Sequence, residues 1–140
     1  MDDETINRLT YLVESKKKHT INAYCALLAA VQACINESSR TELEHISGQD
    51  LARKFADIVL NAYGPLSSDI LDDWNIKNTR DIGEMVFDLV AVGLLFFSEN
   101  DKIEDFDDVF DFHEKFVAPF DASPPYPDFQ EIRHTSQLTK

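Results

Sequence analysis

The chain has 140 residues, 44% of them hydrophobic, with ten Phe, four Tyr and one Trp. That is enough for one domain with a single core, and it excludes wholesale disorder. Thirteen Lys and Arg stand against 26 Asp and Glu, a net charge of −13, which excludes phosphate backbones and anionic lipid as natural partners.

Four Gly and five Pro are few for an all-β fold, which needs frequent turns. The longest apolar run, Leu89 to Phe97, spans nine residues, where a membrane helix needs about 20. Met1-Asp2-Asp3-Glu4 is acidic where a secretory signal carries basic residues. A soluble, cytoplasmic protein is therefore expected. Cys25 and Cys34, placed on one helix, are separated by about 13 Å of rise. A disulfide tolerates about 7 Å between Cα atoms, so two free thiols are expected.

Asp3 to Lys17 reads as a helix with Ile6, Leu9 and Val13 on one face. The Lys16-Lys17-Lys18-His19 run suits the negative end of its dipole. Thr20 is the expected N-cap of a second helix, Ile21 to about Asn36, with a stripe of Ile21, Tyr24, Leu28, Val31 and Ile35. Leu43 to Ile46 alternates like a short strand. Ser47 then caps a third helix that buries Leu51, Phe55, Ile58, Val59 and Ala62 and stops at Gly64-Pro65. A short helix, Ser67 to Trp74, follows.

Asn78 caps the next helix, which carries Ile82, Met85, Val86 and Leu89 to about Val92. Leu94 to Phe97 and Lys102 to Phe106 read as a small β-hairpin, the alternative being a helix that runs on to Phe97. Phe106, Val109, Phe110, His113, Phe116 and Val117 have the spacing of one amphipathic helix. After Asp121 the chain turns proline-rich at Ser123-Pro124-Pro125-Tyr126-Pro127, so 1–120 is read as the domain and 121–140 as a tail.

Four phrases in order carry a resemblance. They are His45-Ile46-Ser47-Gly48-Gln49-Asp50-Leu51, Tyr63-Gly64-Pro65-Leu66, Trp74-Asn75-Ile76 with Thr79 to Phe87, and Gly93-Leu94-Leu95 with Glu104-Asp105-Phe106 and Val109 to Phe112. Together they resemble an uncharacterised bacterial family of about this length, found largely in planctomycetes and verrucomicrobia and named for a Methylacidiphilum open reading frame. The likeness is strongest over 45–116. The family has no assigned activity, so the resemblance implies no substrate. It has Gly after the Trp where this chain has Asn75, which implies a left-handed backbone that Asn tolerates.

Few residues suggest chemistry. His45 and Ser47 share a side of an extended segment, but Ser47 has a capping task and no Gly-x-Ser-x-Gly elbow is present. His113 is expected as a core histidine bonded to backbone. The Asp-rich 101–111 segment lacks the glycine and terminal glutamate of a calcium loop, and reads as a solvated face. Asp81 and Glu84 suit a helix start. Gly83, inside that helix, implies close packing. Phosphate-cradling glycine loops and zinc-ligand spacings are absent, so neither cofactor nor metal is expected.

The expected fold is mainly α, with five or six helices in one domain and a small hairpin, in an order that matches a winged helix. Arg80 is outnumbered by Asp81, Glu84 and Asp88 on the would-be recognition helix, which opposes DNA binding. The expected core is Tyr24, Leu28, Phe55, Ile58, Val59, Trp74, Val86, Leu89, Phe106 and Phe110. The leading functional reading is a non-catalytic interaction or regulatory module that meets a basic partner protein. The alternative is an enzyme or small-ligand binder with a pocket near His45, Ser47, Gln49, Trp74 and Glu84. A third reading is self-association to a homo-oligomer through the aromatic C-terminal region.

Overall fold

The computed structural model describes residues 2–38, 46–96 and 101–120. Helix α1 (Asp3–Lys16) starts at Asp2, whose carboxylate accepts the Thr5 N–H at 2.8 Å. Lys17 closes it with φ 54°. Leu9 and Leu12 are buried, whereas Ile6 lies on the solvent side. Thr20 caps α2 (Ile21–Ser38), its Oγ1 accepting the Ala23 N–H at 3.2 Å. The buried face of α2 is Ala23, Tyr24, Leu27, Ala30, Val31 and Cys34. Leu28, expected in the core, is only half-buried. Of the five alanines of α2, Ala23 and Ala30 are buried, and Ala29 faces solvent.

Helix α3 (Gly48–Tyr63) packs along α2. It is capped as expected, with Ser47 Oγ accepting the Asp50 N–H at 3.0 Å. Gly64 leaves it with φ 50°, and a 3-10 turn, Gly64–Leu66, leads into α4 (Ser67–Asp73). Trp74 caps α4, and Asn75 follows with φ 61°, the left-handed geometry expected there. Helix α5 (Thr79–Ala91) begins at Asn78, whose Oδ1 accepts the Asp81 N–H at 2.9 Å.

The core is shared by α2, α3 and α5, with α1 laid against α2. Of the expected core, Tyr24, Phe55, Val59, Trp74, Val86, Leu89 and Phe106 are buried, while Leu28, Ile58 and Phe110 are partly exposed. Leu12, Leu27, Leu51, Ile82 and Met85 complete it.

The C-terminal region departs from expectation. Among the described residues there is no strand, and Ile103–Phe106 forms a 3-10 turn where the return strand of the hairpin was expected. Residues 43–45 and 97–100 of the expected strands, and the tail 121–140, lie outside the described residues. The single helix expected over 106–117 is also broken. Only Phe112–Phe116 is helical (α6), followed by a 3-10 turn at Ala118–Phe120. Aspartates interrupt the helix by competing for the backbone. Asp108 sits at φ 50°, and Asp111 accepts the Glu114 N–H at 3.0 Å, starting α6 afresh.

That break lets Phe106 turn inward, 1% exposed, between α3 and α5. It lies over Gly48 and Gly83, so the close packing expected at Gly83 is against this ring. Thr79 Oγ1 donates to the Phe106 carbonyl and accepts the Val109 N–H at 3.2 Å, fixing the segment to the start of α5.

Candidate functional site

The structure separates the residues expected to line one pocket. Ser47 is exposed and its hydroxyl is committed to the α3 cap. Gln49 is half-buried in the first turn of α3. Trp74 is buried, its ring edge-on to Tyr63 at 5.9 Å. Glu84 accepts a hydrogen bond from Lys18 Nζ at 2.7 Å. His45 lies outside the described residues. Trp74 and Glu84 line different concavities, so these two do not share one small-ligand pocket. Ser47 is held by the α3 cap, Trp74 by core packing and Glu84 by Lys18.

Glu84 lines a cleft of about 590 Å³ between the end of α1, α5 and residues 101–104. Its walls carry Lys16, Lys18 and Lys102 opposite Glu84, Asp88, Asp101 and Glu104, over an apolar floor of Phe87 and Ile103. The charges are largely spent on one another. Lys18 Nζ reaches Asp81 at 3.4 Å as well as Glu84, and Lys16 Nζ lies 3.5 Å from Asp88. The Glu84 hydrogen bond holds the Lys18 pKa above its ordinary value, with the Asp81 and Glu84 charges assisting against partial desolvation. Tyr24 donates its phenol proton to Asp88 at 2.9 Å. Burial first, and then Asp88, push its pKa well up.

His19, next to this corner, was read from sequence only as the last member of the cationic run that ends α1. It is 3% exposed and its Nδ1 sits 3.0 Å from the Trp74 carbonyl. Since a carbonyl only accepts, Nδ1 carries the proton. Nε2 is buried without a partner in the described structure. The sequence signal was its place immediately before the Thr20 cap, masked by the three lysines that precede it.

A second groove, of about 290 Å³, runs between α2 and α3. Asn22, Cys25, Ala26, Ile58, Val59, Ala62, Tyr63 and Trp74 line it, with no charged side chain among them. A third concavity, of about 400 Å³, lies beside Cys34, where Lys54 Nζ binds Glu37 at 2.7 Å. Neither cysteine is in a disulfide, and burial pushes both thiols up. Neither thiol is activated for nucleophilic work.

The Asp-rich segment is tied down by its own carboxylates. Asp105 accepts the Lys102 N–H at 3.2 Å, and both Asp107 oxygens lie 2.9 Å from Arg80 Nη1. His113, expected in the core, is exposed, because α6 starts only at Phe112 and turns Phe116 inward instead. Among the described residues no group of three His, Cys, Asp or Glu side chains is placed to hold a metal ion. No helix among them is long and apolar enough to cross a membrane. No family model, curated protein or solved structure matches the chain.

Proposed function

We propose that this chain is a non-catalytic interaction or regulatory module, cytoplasmic, that meets a basic partner protein through its acidic surface. The observation that carries this reading is the disposition of charge. Basic side chains of α1, α3, α5 and α6 are matched within the fold, as in Lys16–Asp88, Lys54–Glu37, Arg80–Asp107 and Lys115–Asp57. Acidic side chains such as Asp3, Glu14, Asp69 and Asp73 are left facing water on a chain of net charge −13. Exposed Tyr11, Leu66 and Phe96 supply apolar contact area beside them. Two cysteines outside any disulfide suit a reducing compartment.

Charge of this kind raises association rate and selects partners by sign more than it adds affinity. It disfavours nucleic acid and anionic membrane. A winged-helix-like use of the 94–106 segment belongs to the proposal only as a protein-contact surface, since Glu99, Asp101, Glu104 and Asp105 oppose phosphate there. Membership of the uncharacterised bacterial family is proposed on the four sequence phrases alone.

The test is capture on the tagged full chain from native lysate at low and high salt, read by mass spectrometry. A basic protein retained at low salt and released at high salt is expected. Retention of no basic protein at either salt overturns the reading. Elution of the chain as its own oligomer replaces it with self-association.

A further inference from the structure

Two charges of opposite sign in the cleft beside Glu84 are left unmatched among the described residues. We propose that this cleft binds a small zwitterion, an α-amino acid with an apolar side chain.

The lining sorts into three parts. One wall is neutralised within the fold. Lys18 Nζ binds Glu84 at 2.7 Å, and Lys16 Nζ lies 3.5 Å from Asp88, which also accepts the Tyr24 phenol proton. The facing rim is different. Lys102 and Glu104 are exposed, and among the described residues no salt bridge engages either of them or joins them to each other. Asp101, beside them, has an interaction of its own. Phe87, from α5, and Ile103, between the two rim charges in sequence, are half-buried and form the apolar floor.

That lining selects the ligand's charge. A bare anion is repelled by a chain of net charge −13. A bare cation meets Lys16, Lys18 and Lys102 in the same cleft. A ligand with one charge of each sign avoids both penalties, its carboxylate on Lys102 and its ammonium on Glu104. One residue separates these two, so their Cα atoms lie within about 7.6 Å, at ~3.8 Å per step. Charges that close on the protein match a ligand that carries both of its own on one carbon, as an α-amino acid does. The ligand's side chain then lies on Phe87 and Ile103. Buried apolar surface supplies the affinity, and a few placed polar groups fix the orientation. At about 590 Å³ the cleft falls within the range of about 300–1,000 Å³ usual for small-ligand sites.

The test is a titration of the isotope-labelled full chain with L-leucine, followed by NMR through its backbone amide shifts. Leucinamide, N-acetyl-leucine and glycine are the comparison probes. The first lacks the negative charge, the second the positive charge and the third the apolar side chain. L-leucine is expected to give saturable shifts at residues 84–88 and 101–104. Its Kd is expected to be at least about fivefold below that of each comparison probe, the factor that one exposed ion pair supplies. Lys102→Gln is expected to equalise leucine and leucinamide, and Glu104→Gln to equalise leucine and N-acetyl-leucine. Both side chains are exposed, and damage to the fold would not remove the preference over one probe while keeping the other.

Absence of a saturable shift at those residues up to about 10 mM L-leucine, where a millimolar site fills, overturns the proposal. So does a variant at Lys102 or Glu104 that keeps the parental order of probes. A parent that takes leucinamide as tightly as leucine overturns it too, and assigns the cleft to cations. Capture of a basic partner is a separate readout, and neither its success nor its failure alters these titrations.

Discussion

Phe106 occupies the space that a side chain on Gly83 would need. A Cβ at Gly83 would lie 2.6 Å from the near edge of the ring and 2.8 Å from the Phe106 Cβ. These are the root atoms of the side chain, which cannot swing aside while Thr79 holds the Phe106 carbonyl.

Gly83→Ala is therefore expected to destabilise the fold by about 1–3 kcal/mol through overpacking. That loss outweighs the helix-propensity gain of up to about 1 kcal/mol. Gly48→Ala meets only the far edge of the ring, at 3.0 Å, and is expected to cost less. Urea denaturation of both variants checks the order. A G83A protein as stable as the parent would show that the 103–106 segment yields freely.

Thr79 serves two backbone groups with one hydroxyl, giving its proton to the Phe106 carbonyl and taking the Val109 N–H. Thr79→Val keeps the shape and leaves both groups unsatisfied at a buried site. A loss of about 1–3 kcal/mol is expected. Amide exchange at Val109 should accelerate in the same variant. Unchanged exchange there would remove the hydroxyl from its proposed role.

Tyr24 ties stability to alkaline pH. Its folded pKa is raised by burial and by Asp88, above the unfolded value of 10.0. The proton is thus held more tightly in the fold. Its contribution is fully present below pH 10 and declines as pH rises beyond it, by about 1 kcal/mol at pH 11. Tyr24→Phe should be less stable at pH 7, through loss of the Asp88 hydrogen bond, yet fall less steeply between pH 9 and 11. Parallel pH profiles for the two proteins would contradict this.

Lys18 bridges two carboxylates of α5, but its side chain remains 41% exposed. Water screens such pairs. Lys18→Met is expected to cost less than about 1 kcal/mol at low ionic strength, with most of that loss gone in 1 M salt. A larger cost, insensitive to salt, would mean that the cleft is closed to solvent.

Helix starts were the most legible part of the sequence. Thr20, Ser47 and Asn78 each hold a backbone N–H through a side-chain oxygen, a local interaction that needs no tertiary knowledge. The left-handed Asn75 was legible through the resemblance, whose family has Gly at that position. The face of α2 was not. A helix apolar on every side gives periodicity no contrast, so Leu28 was read into the core where Leu27 is the buried one.

The C-terminal region misled because its phenylalanine spacing serves a broken turn as well as a helix. The choice lay with Asp108 and Asp111 and with the glycine seam that receives Phe106. Of the site, Trp74 and Glu84 were named but not their separation, which depends on how α4 and α5 are set against α2. Cys25 and Tyr63 become partners only once α2 and α3 are packed.

The Arg8 guanidinium donates to the Val92 carbonyl at 2.8 Å, joining α1 to the end of α5 across 84 positions of sequence. Gly93 has no side chain to obstruct it, since a Cβ there would lie 2.7 Å from Arg8 Nη1. During synthesis α1 therefore emerges well before its anchor on α5. Alone, a helix of 14 residues is marginal in water. Its lasting order is conferred when the far end of α5 arrives, and an N-terminal fragment lacking α5 should show α1 largely uncoiled by circular dichroism.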